Sequence, residues 1–484
     1  MKLRSEVLDL LLEISKKEVL KTMYKSQHIH LVGIGGIGMS GLARILHTLG
    51  NTVSGSDICE SDITKELSKM GIDVSIGHSE DNISDSVQLV VVSSAIKDDN
   101  PEIIYARSKN IPVIKRADML SDLMRLKKYC IAVSGAHGKT TTTSLVYSVL
   151  KAAELDPSVI IGGKVNGYNT NAYWGQGEFL VAEADESDGS FLRLFPTVVV
   201  ATNIDQEHLD HYKDISEIKE AFKSFIELIP FYGRAVICGE DKNLLEITKG
   251  LGKNVLVYGF NKDFDISADI KPCKDIKIGT KFDVFLKGSL IGEVTLNLPG
   301  EHNVLNALAA IGVGLEVGIS FKDIKEGLKN AKGVNRRFCI SPLRNGAILV
   351  DDYAHHPTEI KATIKTARKC WPDKRLVVAF EPHRYSRTKA LKEEFCRCFL
   401  GLAVNQLLIT DIYPASEEPI EGVDARVLTK AIKLHSKNGL KIRYIERDSL
   451  IDEIEGLLTP NDVLLTLGAG SMGKISKELR DLLS

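Results

Sequence analysis

The chain has almost no net charge to direct it. Its 62 Lys and Arg against 64 Asp and Glu leave −2 over 484 residues. Without a basic excess there is no electrostatic footprint for nucleic acid. Long apolar runs are missing too: none approaches the roughly 18 residues that a membrane-spanning helix requires. The eight cysteines, at 59, 130, 238, 273, 339, 370, 396 and 398, never form Cys-x-x-Cys, so neither a zinc ribbon nor a dithiol redox pair is indicated. Cys396 and Cys398 fall in a helical pattern and read as packing, and thiols scattered in this way suit a reducing cytosol. There is no short-period repeat and no low-complexity segment. The first 27 residues lack the apolar core of a signal peptide. Charged throughout, with Val7, Leu10, Leu11 and Ile14 at helical spacing, they read as an amphipathic helix.

What the chain does contain is a hydrophobic fraction of 44%, ordinary for a globular protein, and length for roughly two to four domains. Its chemical centre is Ile131–Ser144. The apolar run Tyr129–Val133 reads as a buried strand, Ser134–Gly138 as a tight turn, and Thr140 onward as a helix. A helix start offers free N–H groups and a positive dipole end, and glycines let that backbone close around phosphate oxygens. Lys139 adds a point charge for the outer phosphates and Thr140 a hydroxyl for Mg²⁺. The strict phosphate-loop pattern wants a glycine six residues before the lysine, where Val133 stands. The match therefore rests on Gly135, Gly138, Lys139 and Thr140.

The remaining patterns are α/β. His28–Gly33 reads as a strand, followed by Gly33-Ile-Gly35-Gly36-Ile-Gly38, a helix through Leu49, and a strand Thr52–Asp57 ending on an acid. This is the dinucleotide-fingerprint order, specific for a diphosphate-bearing nucleotide without saying which. Taken alone it would also suit a nicotinamide-dependent dehydrogenase, which leaves Lys139, Thr140 and the acidic clusters without a role. Strands at Gln88–Ser94 and Pro112–Lys115 complete a first unit, which the helix Ala117–Leu126 joins to the next. In the second unit, the apolar runs Phe179–Ala182 and Thr197–Ala201 each end in polar clusters, Glu183–Asp188 and Thr202–His211. Strand C-termini point toward the ligand crevice of a parallel sheet. These acids would therefore gather near Lys139, and a cation is the natural way to reconcile them with a triphosphate. Residues 254–298 read as a small antiparallel excursion. Pro299–Asn303 opens a helix Val304–Val317, with Asn303 either its N-cap or an amide set for a base. Gly333–Phe338 reads as a linker. A third α/β unit follows, with strands at 347–352, 376–379, 406–410, 441–444 and 463–467. Its helices are near 358–369, 387–400, 425–436, 449–458 and 472–483. Arg384 and Arg387 are a pair able to clamp a carboxylate.

Six blocks together resemble the Mur ligases: Gly135–Thr142, Glu183–Asp188, Thr202–Asp210, Gly300–Ala307, Asp351–Glu359 and Pro382–Thr388. The similarity runs from about His28 to the C-terminus. It implies three α/β domains: 1–122, a helix plus a Rossmann-like UDP-sugar domain; 123–335, the central ATP-binding domain; and 336–484, a Rossmann-like closing domain that binds the amino acid. It implies ATP-dependent amide formation in peptidoglycan precursor synthesis, in the cytoplasm, with UDP-N-acetylmuramate and L-alanine as small-molecule substrates. The cofactors would be ATP and Mg²⁺, or Mn²⁺. Carried onto this chain, Lys139, Glu183 and His208 would be catalytic, and Thr140, Glu183 and His208 would hold metal. Gly135, Ala136, His137, Gly138, Lys139, Thr140, Thr141, Asn303, Asn306, Arg337 and Asp352 would contact ATP. Gly35, Gly36, Ile37, Ser56, Asp57 and Ser94 would lie near the UDP part, and Tyr353, His355, Arg384 and Arg387 would receive L-alanine. Lys223 is the candidate for the carbamylated lysine of some members. Ala136 stands where Thr is usual and Ala354 where Gly is common. Neither change removes a charged or metal-binding group.

Overall fold

The computed structural model describes residues 26–163, 170–208, 211–271, 279–415, 417–436 and 440–483. The expected N-terminal amphipathic helix lies outside them, apart from its last two positions. Three sheets divide the described chain. The first holds five parallel strands, His28–Val32 (β1), Thr52–Asp57 (β2), Asp73–Ile76 (β3), Leu89–Val92 (β4) and Val113–Lys115 (β5), in the order β3-β2-β1-β4-β5. β3 is not legible beforehand, because a short edge strand with only one buried-type alternation carries little apolar signal.

The central sheet has ten strands. They are Tyr129–Ser134 (β6), Ser158–Ile160 (β7), Ala172–Tyr173 (β8), Phe179–Glu183 (β9), Val198–Ala201 (β10), Arg234–Cys238 (β11), Val255–Gly259 (β12), Ile266–Ile270 (β13), Thr280–Leu286 (β14) and Ser289–Leu296 (β15). Their order is β15-β14-β13-β12-β11-β10-β6-β9-β7-β8. The region read as a small antiparallel excursion is continuous with this sheet. β12 pairs parallel with β11 and β13, and the antiparallel pairs there are β13–β14 and β14–β15.

The third sheet comprises Cys339–Pro342 (β16), Ile348–Asp352 (β17), Arg375–Phe380 (β18), Gln406–Ile409 (β19), Lys441–Tyr444 (β20) and Asp462–Leu467 (β21), ordered β16-β17-β21-β18-β19-β20. Only β16 is antiparallel in it. The single helix expected over 387–400 is two, Tyr385–Ala390 and Lys392–Leu400, broken at Leu391. No Gly or Pro marks that break.

Packing separates the units unequally. Apolar side chains of the first two units, from Ile29 to Ala331, share one contiguous core, while Val32, Val90, Ile103 and their neighbours form a smaller cluster of the first unit. The third unit keeps its own two clusters, one on each face of its sheet. Its junction with the central unit is made by charged and polar groups. The chain crosses between them at Gly333–Phe338, where Gly333, Arg336 and Phe338 all have positive φ (71°, 60° and 52°). For the two non-glycine residues this is a strained backbone, suited to a hinge.

Candidate active site

The three central strands β10, β6 and β9 lie side by side, with Ser134 paired to Ala201 and Val133 to Glu183. Their C-terminal ends therefore deliver the phosphate-loop turn, the Glu183–Asp188 segment and the Thr202–His208 segment to one place. The Lys139–Ala152 helix starts from Gly138, whose φ of 83° is left-handed. A side chain there would meet the Asn306 amide at 2.7 Å. Gly135, at φ 140°, packs against Thr202 with no room for a Cβ. The turn is tied to the β10 end: Ala136 N–H donates to the Asn203 carbonyl (3.1 Å) and His137 N–H to the Asn203 side chain (2.8 Å). Those two N–H groups are engaged within the protein. The Lys139, Thr140 and Thr141 N–H groups precede the first intrahelical bond, Thr142 N–H to the Gly138 carbonyl (2.9 Å), and Lys139 and Thr140 line the cavity beside the loop.

That cavity, of about 540 Å³, is lined by all three units, including Ile37 and Arg44, Lys139 and Thr140, and Tyr353 and His355. Lys139 Nζ donates to the Gly135 carbonyl and to Glu186 Oε1, each at 2.7 Å. Burial works against its charge, but Glu186, Asp185 and Glu183 more than offset this and hold the ammonium above its ordinary pKa. Burial likewise opposes the Glu186 charge, yet Lys139 and His208 bring that carboxyl down to about 2. Thr140 Oγ1 donates to Glu183 Oε1 (3.1 Å), whose other oxygen accepts the Gly162 N–H (2.8 Å). His208 Nε2 lies 3.6 Å from Glu186 and 3.8 Å from Glu207, on a backbone with φ of 57°. A hydroxyl, several carboxylates and one imidazole facing a phosphate loop form a donor set that fits an oxygen-preferring divalent ion. Lys223, half-buried on the Ile215–Glu227 helix, lines none of the cavities at this site.

A second cavity of about 400 Å³ lies beyond His137 and Gly138 and is lined by His302, Asn303, Asn306, Arg337 and Asp352 among others. Asn303 is not the N-cap. The helix begins earlier, Glu301–Glu316 after Gly300, and the Asn303 amide donates to the Pro299 carbonyl (2.7 Å) while its oxygen accepts from Asn306 (3.2 Å). Burial lifts the Asp352 carboxyl to about 6 despite Arg337. Its two oxygens accept the Phe338 and Ala354 N–H groups at 2.8 Å, fixing the far side of the hinge.

At the first unit, Gly35 N–H donates to Asp57 Oδ2 (2.8 Å), and Ile37 projects into the large cavity. Ser56 needs correction: its hydroxyl points into the domain and donates to the fully buried Glu102 (2.7 Å). Side chains alternate along a strand, so Ser56 faces away from Asp57. Ser94 is exposed in the loop after β4. That loop meets the glycine turn through Ser93, which a Cβ on Gly33 would approach to 3.1 Å.

In the third unit, Tyr353 lies under two guanidiniums, Arg336 and Arg337, each with Cζ 5.1 Å from the ring centroid. His355 Nδ1 is 3.2 Å from Glu359. Arg387 donates to His383 Nδ1 (3.0 Å). Burial, with His355 and the two arginines, pushes the His383 imidazole down to about 3, so it is a neutral acceptor. A third cavity, about 200 Å³, is bounded by Glu207, His208, Arg384, Ser386, Arg387 and Leu391, with Gln206 and Ala390.

Sequence reading did not assign roles to Glu186, Glu207, His383 or Glu359. Glu359 carried a signal in the sequence, since it stands three residues after His356 in the acceptor position of a capping box. It accepts the His355 and His356 N–H groups (3.1 and 3.4 Å) at the start of Pro357–Cys370. Its carboxylate also lies 3.5 Å from His137 and 3.6 Å from Arg337. His137 Nε2 is 3.0 Å from Asp205, which also accepts from Thr358 (2.8 Å). The phosphate-loop histidine therefore joins the central and third units. Burial alone would lower the His137 pKa, but Asp205 and Glu359 raise it to about 10.

This sets a pH window for the junction. A raised histidine pKa contributes stability that is complete below about 6.5 and is lost as pH rises through about 10. Asp205 and Glu359, both lowered, contribute above the ordinary carboxylate range and lose that contribution on acidification. Protease cleavage in the 333–338 hinge is expected to be slowest between these limits and to accelerate from pH 7 to 10. In His137→Gln the alkaline acceleration is expected to disappear.

A phosphate loop on a mixed central sheet, flanked by two parallel α/β units that share its cavity, defines a three-domain nucleotide-dependent enzyme. Residues 28–128 match the family model "Mur ligase family, catalytic domain", 133–314 "Mur ligase middle domain" and 336–470 "Mur ligase, glutamate ligase domain". The chain belongs to the Mur ligase family. It is 49% identical to the UDP-N-acetylmuramate–L-alanine ligase of Geotalea uraniireducens, over 94% of this chain and 98% of that one. Among solved structures it is similar to the Thermotoga maritima UDP-N-acetylmuramate-alanine ligase, with TM-score 0.79, 32% identity and coverage of 94% and 98%. It is also similar to a murein peptide ligase from Psychrobacter arcticus, with TM-score 0.70, 25% identity and the same coverage. No helix among the described residues is long and apolar enough to cross a membrane.

Proposed function

We propose that this protein joins L-alanine to the carboxylate of UDP-N-acetylmuramate at the expense of ATP, in cytoplasmic peptidoglycan precursor synthesis. The observation that carries the reading is the 540 Å³ cavity, where the phosphate loop meets side chains of both outer units. The sugar carboxylate attacks the γ-phosphorus, the bond to the β–γ bridging oxygen breaks, ADP leaves and an acyl phosphate forms. The amine of L-alanine then displaces phosphate through a tetrahedral intermediate. The first step brings anion to anion, so its barrier is lowered mainly by positioning and by positive charge. Lys139 and the first turn of its helix supply that charge at the phosphates. Thr140, Glu183 and His208 would hold Mg²⁺, or Mn²⁺, which when bound offsets phosphate charge. Asn303 and Asn306, with Arg337 and Asp352 at its edge, suit the second cavity to adenosine. The Gly35–Ile37 turn and Asp57 suit the first unit to the UDP group. Tyr353, His355, Arg384 and Arg387 receive the amino acid. On this reading residues 1–122, 123–335 and 336–484 are the UDP-sugar, ATP and amino-acid domains.

A ligase that joins a preformed peptide to the same sugar is the nearest competitor. The third cavity, about 200 Å³ and walled by Ala390 and Leu391, favours a single small amino acid. The test is phosphate release from ATP with Mg²⁺, UDP-N-acetylmuramate and one acceptor at a time. Turnover with L-alanine and none with a tripeptide is expected. Turnover with the tripeptide alone would overturn the assignment.

A further inference from the structure

Four carboxylates line the large cavity, Glu183, Asp185, Glu207 and Glu359, and three of them already have donors. Glu183 takes Thr140 and Gly162, Asp185 takes the Ser187 N–H, and Glu359 takes the His355 and His356 N–H groups. Glu207 is the exception. It is only 7% exposed, and among the described residues its carboxylate accepts no hydrogen bond. Oε1 is sealed from solvent without a partner, 4.0 Å from His356 Nε2. His208 Nε2 stands 3.8 Å from Oε2, beyond hydrogen-bond length. A buried anion without a donor is costly unless a ligand supplies one.

Position says which ligand. Glu207 lines both the large cavity and the 200 Å³ cavity, so it stands where phosphate chemistry meets the arginine pair. Arg384 and Arg387 are on the same small cavity, and Arg387 acts on Glu207 through space without an ion pair to it. An anion and two guanidiniums on the wall of one small chamber are complementary to a zwitterion, with Ala390 and Leu391 beside a short apolar side chain.

We propose that Glu207 is the ammonium-binding residue of the amino-acid subsite. Its Oε2 receives the α-ammonium of the incoming amino acid while Arg384 and Arg387 hold the carboxylate. The ligand's nitrogen is thereby held at the mouth of the phosphate cavity. Amino acids are then selected by the distance between their two charges, and a molecule with the carboxylate alone gains only half of the contacts. This rests on the L-alanine reading and extends it to a residue that the motifs did not single out.

The test compares wild-type enzyme with Glu207→Gln and Glu207→Asp, measuring KM for each substrate and inhibition by propionate, which is alanine without its amino group. In Glu207→Gln the KM for L-alanine is expected to rise roughly 30-fold or more, with the KM values for ATP and UDP-sugar changed less than about threefold. Propionate inhibition should be unaltered, and Glu207→Asp should recover part of the loss. If Glu207→Gln does not fold, Glu207→Asp alone must raise the KM for L-alanine selectively. An unchanged KM for L-alanine overturns the proposal. So does an equal weakening of propionate and alanine, or a shift confined to the Mg²⁺ concentration needed for half-maximal rate, which would make Glu207 a metal ligand. Absence of L-alanine turnover in the wild-type enzyme would instead refute the proposed function.

Discussion

Lys139→Met is expected to lower the rate of phosphate release about 10³-fold, with little change in the KM for the amino acid. The ammonium is fixed by the Gly135 carbonyl and Glu186 at 2.7 Å each, at the first turn of a helix whose start lines the cavity. It is a preorganised positive charge where negative charge must be crowded together, and removing one such donor from a water-poor site costs about 10²–10³ in rate. Loss of the ion pair raises the expected effect to the upper end, because the buried Glu186 carboxylate then stays beside the loop without its Lys139 partner. Methionine keeps the length and apolar stem of the side chain, so the helix start should survive. Removing one member of a buried pair costs about 3–5 kcal/mol. Here His208, 3.6 Å from Glu186, limits the penalty. Steady-state kinetics together with a thermal melt separate the two effects. A folded Lys139→Met enzyme with near-normal turnover would contradict the role assigned to the loop.

Glu359→Gln is expected to release the third domain from the central one. This carboxylate caps its own helix through the His355 and His356 N–H groups and faces His137, Arg337 and His355. Glutamine retains an acceptor for the cap but leaves three cationic or protonatable groups without their shared anion. A loss of about 3–5 kcal/mol from the interdomain arrangement is expected. The apolar cores of the two units are separate, so the loss should fall on their junction and spare each core. Calorimetry is expected to show the unfolding endotherm splitting in two, and X-ray scattering a larger radius of gyration. A single, unshifted transition would show that other contacts, such as Lys369 with Glu301 (2.6 Å), hold the domains.

Legibility in the sequence followed the range of the interactions. The strand–turn–helix around Gly135–Thr140 is a local device, made by neighbours in the chain, and it stands in the structure as its pattern indicates. The same is true of Gly33–Asp57, where the terminal acid meets the glycine turn through Gly35. Residues whose work depends on distant partners were less visible. Ser56 and Asp57 are adjacent, and only the pleat decides that Asp57 faces the glycine turn and Ser56 a buried Glu102. Asn303 looks like a helix cap by position, but Gly300 at φ 101° starts the helix earlier and leaves Asn303 in the first turn, on the wall of the second cavity. Nothing in Arg336-Arg337-Phe338 announces a left-handed backbone, because tertiary contacts impose it: Arg336 donates to the Gly468 carbonyl, and Phe338 N–H donates to Asp352. Short edge strands such as β3 and β16 were missed for a related reason, since pairing with an existing sheet supplies what their composition does not.

The account turns on the sugar's carboxylate and the γ-phosphate meeting beside Lys139. The direct measurement is the fate of ¹⁸O placed in the carboxylate of UDP-N-acetylmuramate during turnover with ATP and L-alanine. Transfer of label into the released inorganic phosphate is expected, because the attacking oxygen leaves with phosphorus. Phosphate free of label, with amide product formed at the normal rate, would contradict it.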